Sequence, residues 1–411
     1  MTAAPRPRVH VIGIPPGARE LPPEARSAAL EAALLAGAPR HLALAPAFGG
    51  ERWPLEGQGR LAALADRLAG EPGLRAAVLA SGDPGFFGFA ATVLRRLPRE
   101  EVRVWPAVSS MQLAFARAGE PWSGARFASL HGRPLEELAP VLGARRVGVF
   151  TDAANTPARI ARFLEEAGWG GLEMVVAEDL GLPTERVTRG PCEGFLEWSG
   201  SDLNVVVLLG PGDDPRPLGP GLPDEGFAHC RGLLTKAEVR AVALGLLRIP
   251  RAGVLWDVGA GSGSVAVEAC LLAPGLRAYA VEKSGEGIAH VRENRRRLRT
   301  AGLVPVHGEA PEALSGLPDP DCVFLGGSGG RLGELLDAAF GRLRAGGTLV
   351  AAAVLLDTLG EALGWARARG LEPEVTQVSC ARSRPVAGRL RMEPLNPVSL
   401  LRVVRAGERG A

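Results

Sequence analysis

Three glycines at alternate positions interrupt an apolar stretch at residues 255–269, which read LWDVGAGSGSVAVEA. The apolar residues before the glycines favour a buried strand, and the spacing of those after them favours a helix. A strand, a glycine-rich turn and a helix N-terminus form a site at which backbone N–H groups point toward a ligand. This segment therefore constrains the chain more than any other, because it predicts a β/α unit with a binding loop built into it.

Composition limits what this loop can belong to. The chain has 411 residues, of which 46% are hydrophobic, and a net charge of +2. That length predicts two or three domains, and the interleaved charges do not favour a nucleic-acid partner. The five cysteines form no C-x-x-C pair and have no metal-ligand spacing to the six histidines, so neither a metal site nor a disulfide framework is expected.

Targeting signals are absent from the sequence pattern. The start, MTAAPRPR, has no apolar core of a signal peptide, and no apolar run approaches the roughly 20 residues of a membrane span. We therefore expect a cytoplasmic protein with no membrane partner.

A segment rich in Pro, Gly and Asp at residues 210–226 divides the sequence into two halves. The predicted domains are 1–210 and 229–411, joined by a linker at 211–228. Both halves alternate strand-like apolar runs with helical patterns, which predicts an α/β fold built from parallel β/α units. The second half ends in two strand-like runs with no helix between them, so an antiparallel pair is expected at the edge of its parallel sheet.

The glycine loop fits more than one nucleotide ligand. A P-loop is excluded because no G-K-S or G-K-T follows. Gly259 and Gly261 nearly satisfy the dinucleotide fingerprint, with Ser264 in place of its third glycine and Glu282 at the distance of a ribose-binding acid. Asp257 argues against a pyrophosphate, because like charges cost roughly 4 kcal/mol at about 4 Å and an effective dielectric near 20. The same carboxylate suits the ammonium and sulfonium of S-adenosylmethionine.

The run DVGAGSG resembles the first motif of the class I methyltransferases, which bind S-adenosylmethionine. The cofactor residues expected on this reading are Asp257, Gly259, Ala260, Gly261, Gly263, Ser264, Glu282, Glu309, Ala310 and Thr235. Glu282 would accept both ribose hydroxyls, and Glu309, with Ala310 beside it, would read the adenine edge. A tight β/α turn, with acids that merely favour helix N-termini, is the alternative interpretation.

Two further segments of the second half predict ligand contacts. Thr235 and Glu238 fit a capping box at a helix start. Lys236, one of only two lysines, is a candidate substrate contact, and the alternative is a solvent-exposed residue at the helix cap. Four glycines and Ser328 at residues 326–330 predict a nest of backbone donors for carboxylates, with Gly327, Ser328 and Gly329 as candidates, or else a flexible turn.

Arginines flank a loop near the end of the chain, at residues 380–398. Arg382, Arg384, Arg389 and Arg391 lie on a predicted hairpin, where guanidiniums could bind several carboxylates. We single out Arg384 and Arg389 as candidate substrate contacts. Because arginine is common throughout the chain, a solvated hairpin is the alternative.

Five segments of the first half, taken in order, resemble the tetrapyrrole methylase family: VHVIGIPPGA, LASGDPGFFGFA, PAVSSMQLAFARAG, SLHGRP and VFTDAANTPARIA. The resemblance implies two α/β lobes with S-adenosylmethionine in the cleft between them. The matched cofactor positions are Pro15, where the family usually has Gly, and Gly82, Asp83, Phe86 and Ser110. Ser109 or Ser110 is also expected to cap a helix. His131 and Arg133 are candidate contacts for a carboxylate-bearing ring, or else belong to a surface loop.

A tetrapyrrole methylase half followed by a class I Rossmann-like half resembles the decarboxylating precorrin methyltransferases of cobalamin biosynthesis. The resemblance implies methylation of a polycarboxylate tetrapyrrole at two bridging carbons, removal of carbon dioxide from an acetate side chain, and two S-adenosylmethionine sites. A homo-oligomer is expected. An NAD-dependent two-domain oxidoreductase and a non-catalytic S-adenosylmethionine-binding protein stay open as alternatives.

Overall fold

The computed structural model describes residues 7–56, 59–212, 219–230 and 234–407. Contacts divide the chain into two compact units. The first comprises residues up to Arg133, Ala144–Ala158 and Glu173–Pro211, and the second comprises Pro134–Gly143, Arg159–Leu172 and the chain from Gly212 onward. The domain boundaries drawn from the sequence stay a prediction, since residues 213–218 of the expected linker lie outside the described residues. Within the described ranges, no helix combines the length and apolar character needed to cross a membrane.

Five parallel strands form the first sheet of the first unit, in the order β3-β2-β4-β1-β5. The strands are β1 (Val9–Ile14), β2 (Leu34–Gly37), β3 (Glu51–Pro54), β4 (Ala76–Ser81) and β5 (Val102–Trp105), and the helices are α1 (Pro23–Leu30), α2 (Pro39–Leu42), α3 (Arg60–Gly70), α4 (Ala90–Leu94) and α5 (Ser110–Ala118). β1 and β4 are buried over most of their length, as expected of parallel strands covered on both faces. The predicted parallel arrangement is confirmed for this sheet.

The second sheet of the first unit is mixed, in the order β6-β7-β10-β8-β9. Its strands are β6 (Arg126–Ser129), β7 (Arg146–Phe150), β8 (Glu173–Glu178), β9 (Arg186–Pro191) and β10 (Asn204–Leu209), with α6 (Pro157–Glu166) between β7 and β8 in the chain. Only β6 and β7 pair in parallel. The prediction of parallel units is wrong here, because β8, β9 and β10 follow one another without intervening α-helices, and antiparallel pairs need only short connections.

A seven-stranded sheet forms the second unit, in the order β13-β12-β11-β14-β15-β19-β16. Its strands are β11 (Ala252–Val258), β12 (Gly275–Glu282), β13 (Leu303–His307), β14 (Cys322–Leu325), β15 (Thr348–Ala353), β16 (Glu374–Val378) and β19 (Val398–Val404). Its helices are α7 (Ala237–Leu247), α8 (Ser264–Leu272), α9 (Gly285–Arg297), α10 (Leu332–Arg342) and α11 (Leu356–Ala368). The strands from β13 to β15 are parallel, and β19 pairs antiparallel with both β15 and β16. The predicted terminal antiparallel pair is therefore confirmed.

A two-stranded hairpin of β17 (Ala381–Val386) and β18 (Arg389–Pro394) separates β16 from β19 in the chain. Leu390 and Met392 on β18 are 76% and 61% exposed. The hairpin therefore presents apolar side chains to the surface.

A buried ion pair holds the start of the second unit together. Arg240 on α7 is fully buried, and its Nε donates to Glu268 on α8 at 2.6 Å. The other Glu268 oxygen accepts the N–H of Gly221 at 2.7 Å, and the first also accepts the N–H of Leu222 at 2.8 Å. The Arg240 guanidinium lies 4.6 Å from the Phe227 ring centroid. This network attaches the segment before α7 to two helices.

We expect Glu268→Ala to lower the free energy of unfolding of the second unit by about 3–5 kcal/mol, because Arg240 would stay buried without its carboxylate partner. Denaturant titration of the full chain measures the change. Glu293→Ala, which removes the partner of Arg296 in a solvent-exposed pair, is the matched control and should cost less than about 1 kcal/mol. Equal effects of the two substitutions would show that the buried pair adds nothing beyond a surface pair.

Candidate cofactor and substrate sites

The loop after β11 depends on its three glycines. Gly259, Gly261 and Gly263 have φ of +67°, +57° and +72°, a region that side chains rarely adopt. Backbone N–H groups of Gly259 and Ala260 donate to the carbonyl of Val281 at 3.0 and 3.1 Å, which fixes the loop against β12. α8 begins directly after Gly263, so the loop leads into the N-terminus of a helix, as the sequence predicts.

Asp257 lies under this loop, near the end of β11, and is 1% exposed. Its Oδ2 accepts the N–H of Ala266 in α8 at 3.1 Å. Burial raises the pKa of this carboxyl to about 7, the hydrogen bond from Ala266 opposes the rise, and the charge of Glu282 adds to it. A positive ligand would favour the ionised carboxylate, which is the role the sequence predicts for Asp257.

Glu282, the last residue of β12, is held at the loop by two backbone donors. Its Oε2 accepts the N–H of Gly261 and its Oε1 accepts that of Ser284, both at 2.8 Å. A Cβ at Gly287 would lie 2.7 Å from the Cγ of Glu282. Gly287 therefore leaves room for this orientation, and the carboxylate retains lone pairs that can accept ligand hydroxyls.

The turn after β14 packs directly on the glycine loop. Gly326 donates its N–H to the carbonyl of Val258 at 2.9 Å, and a Cβ at Gly259 would lie 2.6 Å from the carbonyl oxygen of Gly327. Only a glycine at position 259 fits this approach. The structure thus brings the predicted nest at 327–329 (Gly327, Ser328 and Gly329) beside the predicted cofactor loop.

Lys283 and Ser262 are candidate site residues that the sequence interpretation missed. The Nζ of Lys283 lies 3.2 Å from Glu309 Oε1, and a Cβ at Gly329 would lie 3.5 Å from that Nζ. Two features of the sequence could have indicated Lys283: the rarity of lysine in this chain and the position directly after Glu282.

The hydroxyl of Ser262 is buried in the glycine loop and has no hydrogen-bond partner among the described residues. Ala310 packs against the core beside β12 and β13.

The predicted capping box at the start of α7 is wrong. The N-cap is Lys236, with no side-chain capping hydrogen bond, and the N–H of Ala237 donates to Asp224 Oδ1 at 3.0 Å. Both oxygens of Glu238 instead accept from Arg382, at 2.8 and 2.6 Å. Because Arg382 holds both oxygens, the carboxylate does not turn back to cap the helix, and the same guanidinium lowers the pKa of Glu238 to about 2.

Thr235 and Lys236 lie directly before α7 and contact Arg240 and Asp224, respectively. The carbonyl of Thr235 accepts from Arg240 at 2.5 Å, and Lys236 Nζ lies 3.7 Å from Asp224 Oδ2. Their predicted cofactor and substrate contacts stay predictions.

The arginine hairpin is only partly available to a ligand. Arg382 is bound by Glu238 and Asp224, so its guanidinium has fewer donors left for a substrate carboxylate, and its predicted substrate contact stays a prediction. Arg384 Nε lies 2.5 Å from Glu393 Oε2 across the hairpin, and its side chain is largely exposed. Arg384 and Arg389 stay candidates.

Three of the predicted cofactor residues of the first unit, Pro15, Gly82 and Asp83, follow directly after β1 and β4. Gly82 donates its N–H to the carbonyl of Ile14, next to Pro15, at 2.7 Å. Gly82 has a φ of +62°, and a Cβ there would lie 3.1 Å from Ser109 Cα, so this turn also requires a glycine. Asp83 Oδ1 accepts the N–H of Gly85 at 2.8 Å.

Ser109 caps α5 in a capping box with Gln112, which confirms that one of the two serines caps this helix. Ser110 is the first residue of α5, beside the Gly82 turn. These contacts bring the Pro15, Gly82 and Ser110 segments together.

Aromatic rings surround Phe86 in the first unit. Its ring centroid lies 5.0 Å from those of both Phe87 and Phe127, and 5.8 Å from that of Phe150. Phe87 is half exposed and has a φ of +53°, a strained conformation for an aromatic residue. The sequence interpretation did not predict the positive φ of Phe87, because nothing in the sequence indicates that conformation at a phenylalanine.

Exposed His131 and Arg133 lie on a loop that is fixed by buried contacts beneath it. Asp152 Oδ2 accepts the N–H of Gly132 at 2.7 Å, and Asn155 Nδ2 donates to the carbonyls of Leu130 and Arg133 at 2.8 and 3.0 Å. The backbone of this loop is thus rigidly placed while the His131 and Arg133 side chains face solvent.

Comparisons with known proteins match two different families to the two halves of the chain. The family model described as "Tetrapyrrole (Corrin/Porphyrin) Methylases" matches residues 8–195, and that described as "Precorrin methyltransferase domain" matches residues 225–405. A precorrin-6Y C(5,15)-methyltransferase [decarboxylating] from Sinorhizobium sp. is 37% identical over 96% of this chain and 95% of its own length.

Two shorter relatives each cover about half of the chain. A probable cobalt-precorrin-6B C(15)-methyltransferase (decarboxylating) from Pyrobaculum calidifontis is 43% identical over 44% of this chain and 94% of its own length. A cobalt-precorrin-7 C(5)-methyltransferase from Salmonella typhimurium is 37% identical over 48% of this chain and 97% of its own length.

The parallel sheet, the glycine loop and the buried acid of the second unit, joined to a tetrapyrrole methylase unit, define a methyltransferase that uses S-adenosylmethionine as methyl donor. The chain belongs to the family of the precorrin-6Y C(5,15)-methyltransferases (decarboxylating). None of these relatives supports the oxidoreductase or the non-catalytic alternative.

The raised pKa of Asp257 predicts a pH-dependent cost in stability. Because its pKa in the folded chain, about 7, lies above the ordinary value of 3.8, the folded state retains a proton that the unfolded state loses as the pH rises through this interval. The contribution of Asp257 to the free energy of unfolding is fully present below about pH 4 and has fallen by about 1–4 kcal/mol at pH 8. Asp257→Asn should remove this loss.

The unfolding free energy of Asp257→Asn relative to the native chain should therefore increase between pH 5 and pH 8, measured by denaturant titration without ligand. Asp319→Asn, which changes an exposed acid paired with Arg342, serves as the control. Parallel pH profiles for Asp257→Asn and the native chain would contradict the assignment.

Proposed function

We propose that the chain transfers methyl groups from S-adenosylmethionine to two bridging carbons of a precorrin and removes carbon dioxide from an acetate side chain of the ring, in the cytoplasm and as a step of cobalamin biosynthesis. The observation that carries this proposal is the loop of the second unit, in which a buried acid, three left-handed glycines and a fixed glutamate lie together in a member of this family.

S-adenosylmethionine binds in the second unit with its positive groups toward Asp257. The Asp257 carboxylate stabilises the ammonium and sulfonium of the ligand. Glu282 accepts the ribose hydroxyls, and Glu309 and Ala310 lie at the adenine, with Thr235 as a further contact. In the first unit, Pro15, Gly82, Asp83, Phe86 and Ser110 hold a second molecule.

Two cofactor sites per chain predict a calorimetric stoichiometry of two. Asp257→Asn should weaken only the second-unit site, by about 1–3 kcal/mol, because a charge-assisted contact is lost. Gly82→Val, which places a branched side chain at a φ of +62° against Ser109, should affect only the first-unit site. A stoichiometry of one, abolished by either substitution, would contradict the proposal.

The substrate meets the second unit at the carboxyl edge of β14 and β15. The turn at 327–329 offers backbone donors to a ring carboxylate, with the Lys283 ammonium next to it. Val354, Leu355 and Leu356, which follow the neighbouring strand β15, are 60%, 65% and 81% exposed and form an apolar surface for the flat macrocycle.

Charged side chains elsewhere supply further contacts for the substrate carboxylates. His131 and Arg133 serve the first unit, and Lys236, Arg384 and Arg389 serve the second. Guanidiniums match carboxylates in geometry as well as charge.

The chemistry needs alignment more than a strong base. A bridging carbon conjugated with pyrrole nitrogens has enamine character, so its electron pair attacks the sulfonium methyl while the sulfur leaves with the bonding pair. Loss of carbon dioxide from the acetate leaves an electron pair that the protonated macrocycle accepts. The protein therefore contributes binding, orientation and a field that favours the cationic donor.

We assign methylation of carbon 15 and decarboxylation to the second half and methylation of carbon 5 to the first. The names of the two shorter relatives support this division, because one joins C(15) methylation with decarboxylation and the other has C(5) methylation alone. The turn at 327–329 supports it further, since its backbone donors could hold a substrate carboxylate close to the proposed methyl donor.

Matched loop variants of the full chain test this assignment. Gly82→Val should leave a product that has gained one methyl group, about 14 mass units, and lost carbon dioxide, about 44, whereas Gly261→Val should leave a product that has only gained about 14. Mass spectrometry of the products from a precorrin pool and labelled methyl donor distinguishes the two. If the Gly261→Val chain still removed carbon dioxide, the assignment of decarboxylation to the second half would be wrong.

A homo-oligomer is also part of the proposal, and nucleic acid is not a partner. The exposed apolar residues Leu390 and Met392 on the hairpin support self-association.

A further inference from the structure

Three potential metal ligands come together beside the cofactor loop of the second unit. One ligand atom each of Cys230, Glu286 and His290 lies within 4.8 Å of the other two, and Cys230 Sγ lies 3.8 Å from His290 Nδ1. Four-coordinate zinc, with bonds of about 2.0–2.3 Å, separates its ligand atoms by roughly 3.3–3.8 Å. Small side-chain rotations therefore suffice to bring all three onto one ion.

The arrangement is fixed by the helix that carries two of the ligands. Glu286 and His290 are four residues apart on α9, and Asn294 follows at the same spacing, so the three share one face. Asn294 is fully buried and binds both the N–H and the carbonyl of Ala228, at 2.7 and 2.9 Å. It thereby positions the segment that bears Cys230 against the face that bears Glu286 and His290.

We propose that Cys230, Glu286 and His290 bind one Zn²⁺ ion. A thiolate, an imidazole and a carboxylate form a donor set typical of zinc. The Cys230 thiol gives its proton to solvent as the sulfur–metal bond forms. Glu286 is exposed, which leaves the fourth position open to water.

The ion would clamp the segment before α7 to α9. The same Asn294 amide also donates to the carbonyl of Ser262 in the glycine loop at 2.9 Å, so the clamped helix face is in direct contact with the cofactor loop. The spacing of cysteines and histidines along the sequence predicts no such site, because only the fold brings Cys230 to α9.

Cobalt(II) is a suitable probe because its thiolate complexes absorb in the near ultraviolet. Added to the reduced, metal-stripped full chain without tetrapyrrole, one Co²⁺ per chain should give a thiolate charge-transfer band that Zn²⁺ then displaces. Cys230→Ser should abolish the band, and His290→Ala should weaken binding at least about tenfold. Cys380→Ser is the matched control, since it removes another half-buried thiol, and should leave the band unchanged.

Thermal unfolding supplies a second measurement that does not depend on the absorption band. Zn²⁺ should raise the unfolding temperature of the native chain and of Cys380→Ser, and should leave that of Cys230→Ser unchanged, because a ligand that binds only the folded state stabilises it. Absence of the band in the native chain, or its persistence in Cys230→Ser, would overturn the proposal. Neither outcome bears on methyl transfer, which the proposal does not involve.

Discussion

A carboxylate buried at the end of a central strand is the constraint on which the second unit depends. Asp257 is nearly inaccessible, and the one hydrogen bond described for its carboxylate comes from the backbone of α8. Such a group costs stability when ionised, and Glu282 increases that cost. Protonation, with a pKa of about 7, relieves part of this cost, and a positive ligand would relieve it in the ionised form.

The glycines of the loop after β11 connect the buried Asp257 to neighbouring segments at the same edge of the sheet. Gly259 and Gly261 both have left-handed backbone, and their N–H groups bind the carbonyl of Val281 and the carboxylate of Glu282. The close approach of Gly327 to Gly259 then joins the loop after β11 to the turn after β14. Since β11 and β14 are adjacent parallel strands, the loops that follow them lie at one edge of the sheet, where the proposed cofactor and substrate would meet.

Sequence reasoning succeeded where one local pattern determines one local structure. The three glycines, the strand ends that carry Asp257 and Glu282, and the Ser109 cap all follow from short-range rules. The parallel prediction failed in the second sheet of the first unit, because apolar runs give the position of a strand and not its direction.

Contacts between distant segments explain the remaining differences. Glu238 has the spacing of a capping residue, but Arg382, far along the chain, binds its carboxylate more strongly than the helix terminus does. Cys230 and His290 are likewise joined only by the fold. Such long-range pairs have no periodicity that a single sequence can reveal.

In the proposed function, the charge balance at Asp257 distinguishes the methyl donor from the spent cofactor. Methyl transfer removes the positive charge of the sulfonium, so the spent cofactor offers the buried carboxylate a weaker partner than the donor does. With a pKa of about 7 before any ligand binds, the carboxyl can take up a proton once that charge is gone. In the proposed function, this carboxyl would therefore bind the charged donor more tightly than the product with its neutral sulfur, and the difference would assist product release.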